Sequence, residues 1–276
     1  MSLRLAGVGY RYAGARQPAL LDVDLELPDG AVVGVAGASE SGKTTLCLVA
    51  AGLAPRAIGG RIRGELTLDG ERIDAWPMHR VAAEISIGFQ NPATQLSGVT
   101  TTVFEEVAFG PMNLALARDE IIDRAWDALE AVGLADLAER DPWRLSGGQQ
   151  QLVAIAGLLA MRPRHLVLDE PTAQLDPAGT RLVGDALLGL AERGASILIA
   201  EQKTDLLAAV CDTAVVLRHG TLAASGPVAE VLGESLDELG VAPPARVRLQ
   251  RAAREAGLAA DVVRRLAAAA AAAAAP

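Results

Sequence analysis

The sequence predicts an α/β fold in which a parallel sheet, interrupted by a helical insert, lies beside an antiparallel sheet. Three observations carry this. Residues 31–36, 166–168 and 197–200 are short apolar runs without alternation, as in strands buried on both faces. Leu21, Val23, Leu25 and Leu27 alternate with Asp22, Asp24 and Glu26, as in a strand with one wet face. Between the apolar runs, Ile121, Ile122, Ala125, Leu129 and Val132 recur at helical spacing.

In chain order, residues 21–27 form a half-buried, antiparallel strand, and Pro28-Asp29-Gly30 turns the chain. Residues 31–36 are a buried strand, followed by a glycine-rich run and a helix over 44–51. Residues 65–69 alternate again and end in the turn signal Asp69-Gly70. The helix through 121–132 stops at Gly133. Ser146 is placed to cap the next helix, which runs through Met161. Residues 166–168 and 197–200 are further strands, and 215–217 with 221–223 form a hairpin about Arg218-His219-Gly220. The expected layout is a parallel-sheet core near residues 30–90 and 161–205, with a mostly helical insert near 92–160. The composition shifts after about residue 232, where Pro243-Pro244 marks a joint before two short helical stretches. Residues 267–275 are an alanine tract, either a frayed helix or disordered chain.

Composition narrows the function classes. Apolar residues make up 51% of the 276, enough for a core, but aromatics are only 3%, so Ala, Val, Leu and Ile must fill it. A net charge of −9 argues against a nucleic-acid partner, which requires a basic face. Cys47 and Cys211 lie in apolar stretches and read as buried free thiols, without disulfide or zinc spacing. A reducing, cytoplasmic setting is expected. Residues 1–27 are alternating and charged, unlike a secretory signal. No stretch reaches the ~20 apolar residues needed to span a bilayer, so a membrane role requires a partner.

Three motifs carry chemistry. The first, Gly37-Ala38-Ser39-Glu40-Ser41-Gly42-Lys43-Thr44-Thr45, fits the P-loop pattern and stands between a strand and a helix. Its backbone N–H groups at the helix N-terminus suit phosphate oxygens, Lys43 reaches the β- and γ-phosphates of ATP, and Thr44 places its hydroxyl on Mg²⁺. The second, Leu145-Ser146-Gly147-Gly148-Gln149, precedes the third, Leu166-Val167-Leu168-Asp169-Glu170-Pro171. Asp169 ends a buried strand, where a carboxylate is costly without a cation, and Mg²⁺ is its natural partner.

In order and spacing these runs resemble the nucleotide-binding subunit of ABC (ATP-binding cassette) transporters over roughly residues 3–230. The resemblance implies a RecA-like P-loop NTPase core with an antiparallel β subdomain, a helical subdomain and a C-terminal helical extension. It implies an ATP-binding domain over 1–232 and an extension over 233–276. Glu170 takes the place of the general base. Gln90, in Phe89-Gln90-Asn91-Pro92, resembles the glutamine that contacts Mg²⁺ and the attacking water. Tyr12 resembles the aromatic that stacks on adenine, with Tyr10 a competing candidate. Ser146, Gly147, Gly148 and Gln149 would meet the γ-phosphate held by a second ATPase subunit, and Ala173-Gln174-Leu175-Asp176 resembles the loop that crosses that interface.

Two positions depart from the family pattern. Glu40 stands where most members have glycine, and if the backbone there needs φ > 0 it costs about 1–2 kcal/mol. Gln202 stands where a switch histidine is usual; it can donate to a γ-phosphate oxygen but carries no positive charge. Residues 89–96 and 102–111, with Leu239-Gly240-Val241, look like ATPases of energy-coupling factor importers. That resemblance implies an ATPase driving import with a second ATPase copy or homologue, an integral-membrane coupling subunit and a substrate-binding membrane subunit, at the cytoplasmic face. A degenerate regulatory half with low hydrolysis is the alternative, motivated by Glu40 and Gln202 and opposed by Glu170.

Overall fold

The computed structural model describes residues 2–274. Met1 and the expected end of the alanine tract at Ala275 lie outside the described residues. The chain opens with β1 (Ser2–Arg11), β2 (Leu20–Pro28) and β3 (Val32–Ala36), then α1 (Lys43–Ala50), β4 (Arg61–Leu68) and β5 (Glu71–Arg72). The helix α2 (Met78–Glu84) leads into β6 (Ile85–Gly88). A helical stretch follows, α3 (Val103–Asn113), α4 (Arg118–Ala131) and α5 (Gly147–Met161). The second half runs β7 (His165–Asp169), α6 (Pro177–Glu192), β8 (Ser196–Ala200), α7 (Thr204–Val210), β9 (Thr213–Arg218) and β10 (Thr221–Pro227). It closes with α8 (Val228–Val231), α9 (Ala245–Glu255) and α10 (Ala260–Ala274).

The main sheet has the order β10-β9-β3-β8-β7-β6. Its strands from β9 to β6 run parallel, and β10 adds an antiparallel edge through the His219-Gly220 turn. Alternate residues of the central strands enter different cores, as a sheet covered on both faces requires. Val33, Val35, Val167 and Leu198 pack toward the antiparallel sheet and α1, whereas Leu166, Leu168, Ile197 and Ile199 pack toward α5, α6 and the helical insert.

The second sheet, β2-β1-β4-β5, is antiparallel. Two expectations change here. Residues 61–68, within the span assigned to the parallel core, pair with β1 instead, and 71–72 pair with β4. Alternation fixes that a strand is half-buried but not which sheet it joins. Leu21, expected inward, is 44% exposed, and Leu20 is buried in its place. Asp22 has φ 50, and the register slips between the Tyr10↔Leu20 and Val8↔Val23 pairs, so an extra residue reverses the facing of Leu21. At its other end the parallel core extends past residue 205, because β9 pairs with β3.

The expected helix stop at Gly133 (φ 68) and the cap at Ser146 are both present. Ser146 accepts from the Gln149 N–H while the Gln149 side chain accepts from the Ser146 N–H, a reciprocal capping box. The C-terminal extension carries helices as far as Ala274 and packs on the core: Leu236 and Val241 are buried. The Thr204 hydroxyl donates to the Ala242 carbonyl at 2.8 Å, and the Ala245 N–H donates to Asp205 at 2.7 Å. Cys47 and Cys211 are buried free thiols.

Candidate functional site

The fully buried strand β3 delivers the glycine-rich loop to the edge of a cleft of about 540 Å³. Gly37 has no room for a side chain: a Cβ there would lie 2.6 Å from the Leu217 carbonyl oxygen. Gly42 precedes α1 with φ 110, a backbone conformation reserved for glycine. Ala38, Ser39 and Glu40 are exposed, and Ser39 and Glu40 line the cleft. Glu40 has φ 63, so the strain anticipated for a non-glycine residue is present, while its side chain lies in solvent. Ser41 is buried beneath the loop. The first N–H groups of α1 open at the cleft, where an anion would satisfy them.

Lys43 is 5% exposed, and its ammonium donates to the carbonyls of Gly37 (2.9 Å) and Ala38 (3.2 Å). It also lies 3.4 Å from Glu170 Oε1. Glu170 follows β7 with φ 48, and its N–H donates to the Ala200 carbonyl at 2.8 Å, which fixes the strained backbone. Its carboxylate is a meeting point: Gln90 Nε2 donates to Oε2 at 2.8 Å and Gln202 Nε2 donates to Oε1 at 3.0 Å. Residues from β3–α1, β6, β7 and β8, far apart in sequence, thus converge on one carboxylate. The Gln202 amide, expected at a γ-phosphate oxygen, donates here to Glu170.

Asp169 lies beside this group, 4% exposed. Burial raises its carboxyl pKa above the ordinary range, while a hydrogen bond from Thr44 pulls it back. One oxygen, Oδ1, is buried with no hydrogen-bond partner among the described residues. An orphaned buried carboxylate oxygen beside a threonine hydroxyl is a donor set that fits a hard cation. Among the described residues no group of three or more His, Cys, Asp or Glu could hold a metal by itself. Thr44 and Asp169, with Gln90 nearby, are the residues that would hold such a cation.

Tyr12 is half-buried, with its hydroxyl 3.0 Å from that of Thr45, beside the start of α1. Tyr10 packs edge-on against it, is 1% exposed and gives its hydroxyl to the Gly59 carbonyl. A ring so enclosed cannot stack on a ligand; Tyr12 is more accessible but does not itself line the cleft. Thr45 lines the cleft with Thr44. Ser146, Gly147, Gly148 and Gln149 do not line it, and Asp176 spends its carboxylate on the Gly179 N–H as the cap of α6. The cleft also has a wall that sequence reasoning missed, residues 17–19 with His219 and Gly220. The hairpin tip is tied to the phosphate loop by the Gly220 N–H donating to the Ser41 carbonyl at 2.9 Å. Arg218-His219-Gly220 gave a turn signal; nothing local says where the turn docks.

A glycine-rich loop between a buried parallel strand and a helix, with an aspartate-glutamate pair at the end of another parallel strand, defines a P-loop nucleoside triphosphatase. Within that class, the family model described as "ABC transporter" matches residues 20–173, and the chain belongs to that family. Among its relatives is the energy-coupling factor transporter ATP-binding protein EcfA2 of Symbiobacterium thermophilum. The two are 39% identical over 87% of this chain and 82% of that one. Among solved structures, cbiO1 of Clostridium perfringens, described as part of the ABC transporter complex cbiONQ, superimposes with a TM-score of 0.72. It is 32% identical and is covered over 89% of its length by 83% of this chain. An ATP-binding cassette solved as a dimer in a post-hydrolysis state with ADP and phosphate gives a TM-score of 0.72 at 25% identity, over 83% of this chain and 99% of that one. The chain is an ATP-binding ABC ATPase subunit.

Proposed function

We propose that this chain binds and hydrolyses ATP to drive an importer of the energy-coupling factor type, through head-to-tail closure with a second ATPase subunit. One observation carries the reading. Lys43, Gln90 and Gln202 converge on Glu170 beside the orphaned Asp169, while Ser146–Gln149 stay outside that cleft. One copy therefore holds the phosphate loop and the base in one cleft and leaves the anion-binding start of α5 for another copy to use.

The loop N–H groups and Lys43 bind the phosphates, for which Lys43 exchanges its carbonyl partners for phosphate oxygens. When bound at Thr44 and Asp169, Mg²⁺ supplies neutralisation of charge on the β- and γ-phosphate oxygens. Glu170 accepts the proton of the attacking water, with Gln90 and Gln202 setting its orientation. Tyr12 offers the adenine a ring face. The Gly147 and Gly148 N–H groups then meet the γ-phosphate of the opposite copy. The EcfA2 and cbiO1 relatives support the importer assignment. Residues 1–232 form the ATP-binding domain with its insert near 92–160, and 233–276 the extension.

Among the described residues no helix is long and apolar enough to cross a membrane. Contact with the membrane at its cytoplasmic face runs through an integral-membrane coupling subunit seated near residues 90–111, with a substrate-binding membrane subunit beyond it. A low-turnover regulatory half fits less well, because Glu170 is present with its orienting donors.

The test is Glu170→Gln with ATP. Without the base, ATP-closed dimers accumulate, and light scattering should report a twofold mass that returns to monomer when ATP is removed. A species that stays monomeric with ATP, also when mixed with its partner ATPase, overturns the closure reading.

A further inference from the structure

β8 ends at Ala200, and the next three side chains all reach toward the segment that follows β7. Glu201 is 1% exposed. Its Oε1 accepts from the N–H of Thr172 at 3.0 Å and from the Thr172 hydroxyl at 2.5 Å. Its Oε2 accepts from the N–H groups of Gln202 (3.1 Å) and Lys203 (3.3 Å). Four donors satisfy a carboxylate that burial would otherwise make very costly. Thr172 is itself fully buried. Lys203 donates to the carbonyls of Thr172 (2.6 Å) and Leu175 (3.2 Å), the two ends of the loop that leads to Asp176. Between them, the Gln202 amide donates to Glu170.

The pattern has a physical purpose. A glutamine side chain is flexible, and holding it still costs rotamer entropy. Here its backbone is pinned through its own N–H, and both neighbours are fastened to the chain that carries Glu170. The amide is therefore presented to the carboxylate from a fixed base. The Lys203 side chain makes its hydrogen bonds to the loop after β7, whereas the charge of Glu201 also acts on Asp169; the route through Gln202 and Glu170 is therefore isolated by removing Glu170.

We propose that Glu201 and Lys203 are positioning residues for ATP hydrolysis: they fasten the loop after β8 to the loop after β7 so that the Gln202 amide holds Glu170 in its working orientation. This rests on Glu170 being the general base.

The experiment is a double-mutant cycle on the full-length protein, reading steady-state kcat and KM together with ATP affinity by calorimetry. Glu201→Gln and Lys203→Met should each lower kcat by about 10- to 100-fold, the scale of a misplaced catalytic group. ATP affinity should stay within about twofold, because the phosphate cradle is untouched. Lys203→Arg, which keeps a cationic donor, should recover most of the loss. In a Glu170→Gln background, Glu201→Gln should lower the residual rate no further, since the group it positions is gone. The proposal is overturned if Glu201→Gln and Lys203→Met keep kcat within about twofold of the parent. It is also overturned if Glu201→Gln lowers the residual rate of Glu170→Gln by the same factor as in the parent. If Glu170→Gln alone keeps the parent rate, the base assignment itself fails, which that single variant reveals independently of the others. Lys203 is exposed, so its variants keep the test decisive if Glu201→Gln does not fold.

Discussion

Asp169 is the residue at which stability and function oppose each other most directly. Its folded carboxyl pKa is raised, chiefly by burial. An acid raised on folding contributes stability that is present below its unfolded pKa and is lost as pH rises through the folded value. At neutral pH the nucleotide-free protein therefore carries a standing cost. Asp169→Asn should remove the buried charge and raise stability by about 1 kcal/mol, since a neutral amide is cheaper to bury than a carboxylate. It should also abolish the extra stabilisation that Mg-ATP gives over ATP alone. Thermal unfolding of both proteins, with ATP and with or without Mg²⁺, checks both parts. A destabilised variant that keeps its Mg²⁺ response would remove Asp169 from the metal site. Glu40 has a simpler conflict, a left-handed backbone at φ 63 without the freedom of glycine. Glu40→Gly should gain about 0.5–1 kcal/mol after the larger chain entropy of glycine is offset. ATP affinity should rise a few-fold at low salt and little at high salt, because the carboxylate is exposed and screened. Titration calorimetry at two ionic strengths separates this from a change in the cradle itself.

Elements were legible where their cause is local. The phosphate loop, the strand ending in Asp169 and the capped start of α5 each announce themselves within a few residues, and each forms where expected. What was not legible depends on a distant partner. The facing of Leu21 follows from its register with β1, the sheet of residues 61–68 from pairing across a long loop, and the donors around Glu201 from Thr172. A charged residue at the end of an apolar strand was visible at position 201, but not the threonine that satisfies it. The cap of α5 allows a test at this scale. Ser146→Ala removes one half of a reciprocal cap and should cost about 1 kcal/mol of stability. In a protein of this size that lowers the melting temperature by roughly 2–4 °C. ATP binding to the isolated chain should be unchanged, because Ser146 does not line the cleft. A weaker ATP affinity in the monomer would mean that α5 and the phosphate loop communicate within one copy.

At the scale of the whole molecule, the proposed docking on a membrane subunit calls for an apolar contact surface on this acidic chain of net charge −9. The exposed apolar side chains of the helical insert offer that contact. Val99 is 72% exposed and Met112 59%, and Phe109 stands one turn before Met112 on α3. The loop that carries Val99 is held in place rather than free. Glu106, nearly buried, accepts from the Ser97 N–H (2.5 Å), the Ser97 hydroxyl (2.8 Å) and the Thr100 hydroxyl. The patch is therefore presented ready-made, which lowers the ordering cost of docking. The same segment begins at Gln90, whose amide contacts Glu170, so a partner seated there touches the chain that reaches the base. Replacing Met112 with Glu places a charge where the partner would bury an anchor. It should weaken co-purification with the membrane subunit by at least about 30-fold, the effect of losing an interface anchor worth 2 kcal/mol or more. Val99→Asp should act in the same direction. ATP affinity of the isolated chain should stay within about twofold, since neither residue lines the nucleotide cleft. Undiminished co-purification of both variants would move the docking surface elsewhere on the molecule. Loss of ATP binding together with docking would mean that the patch supports the nucleotide cleft itself.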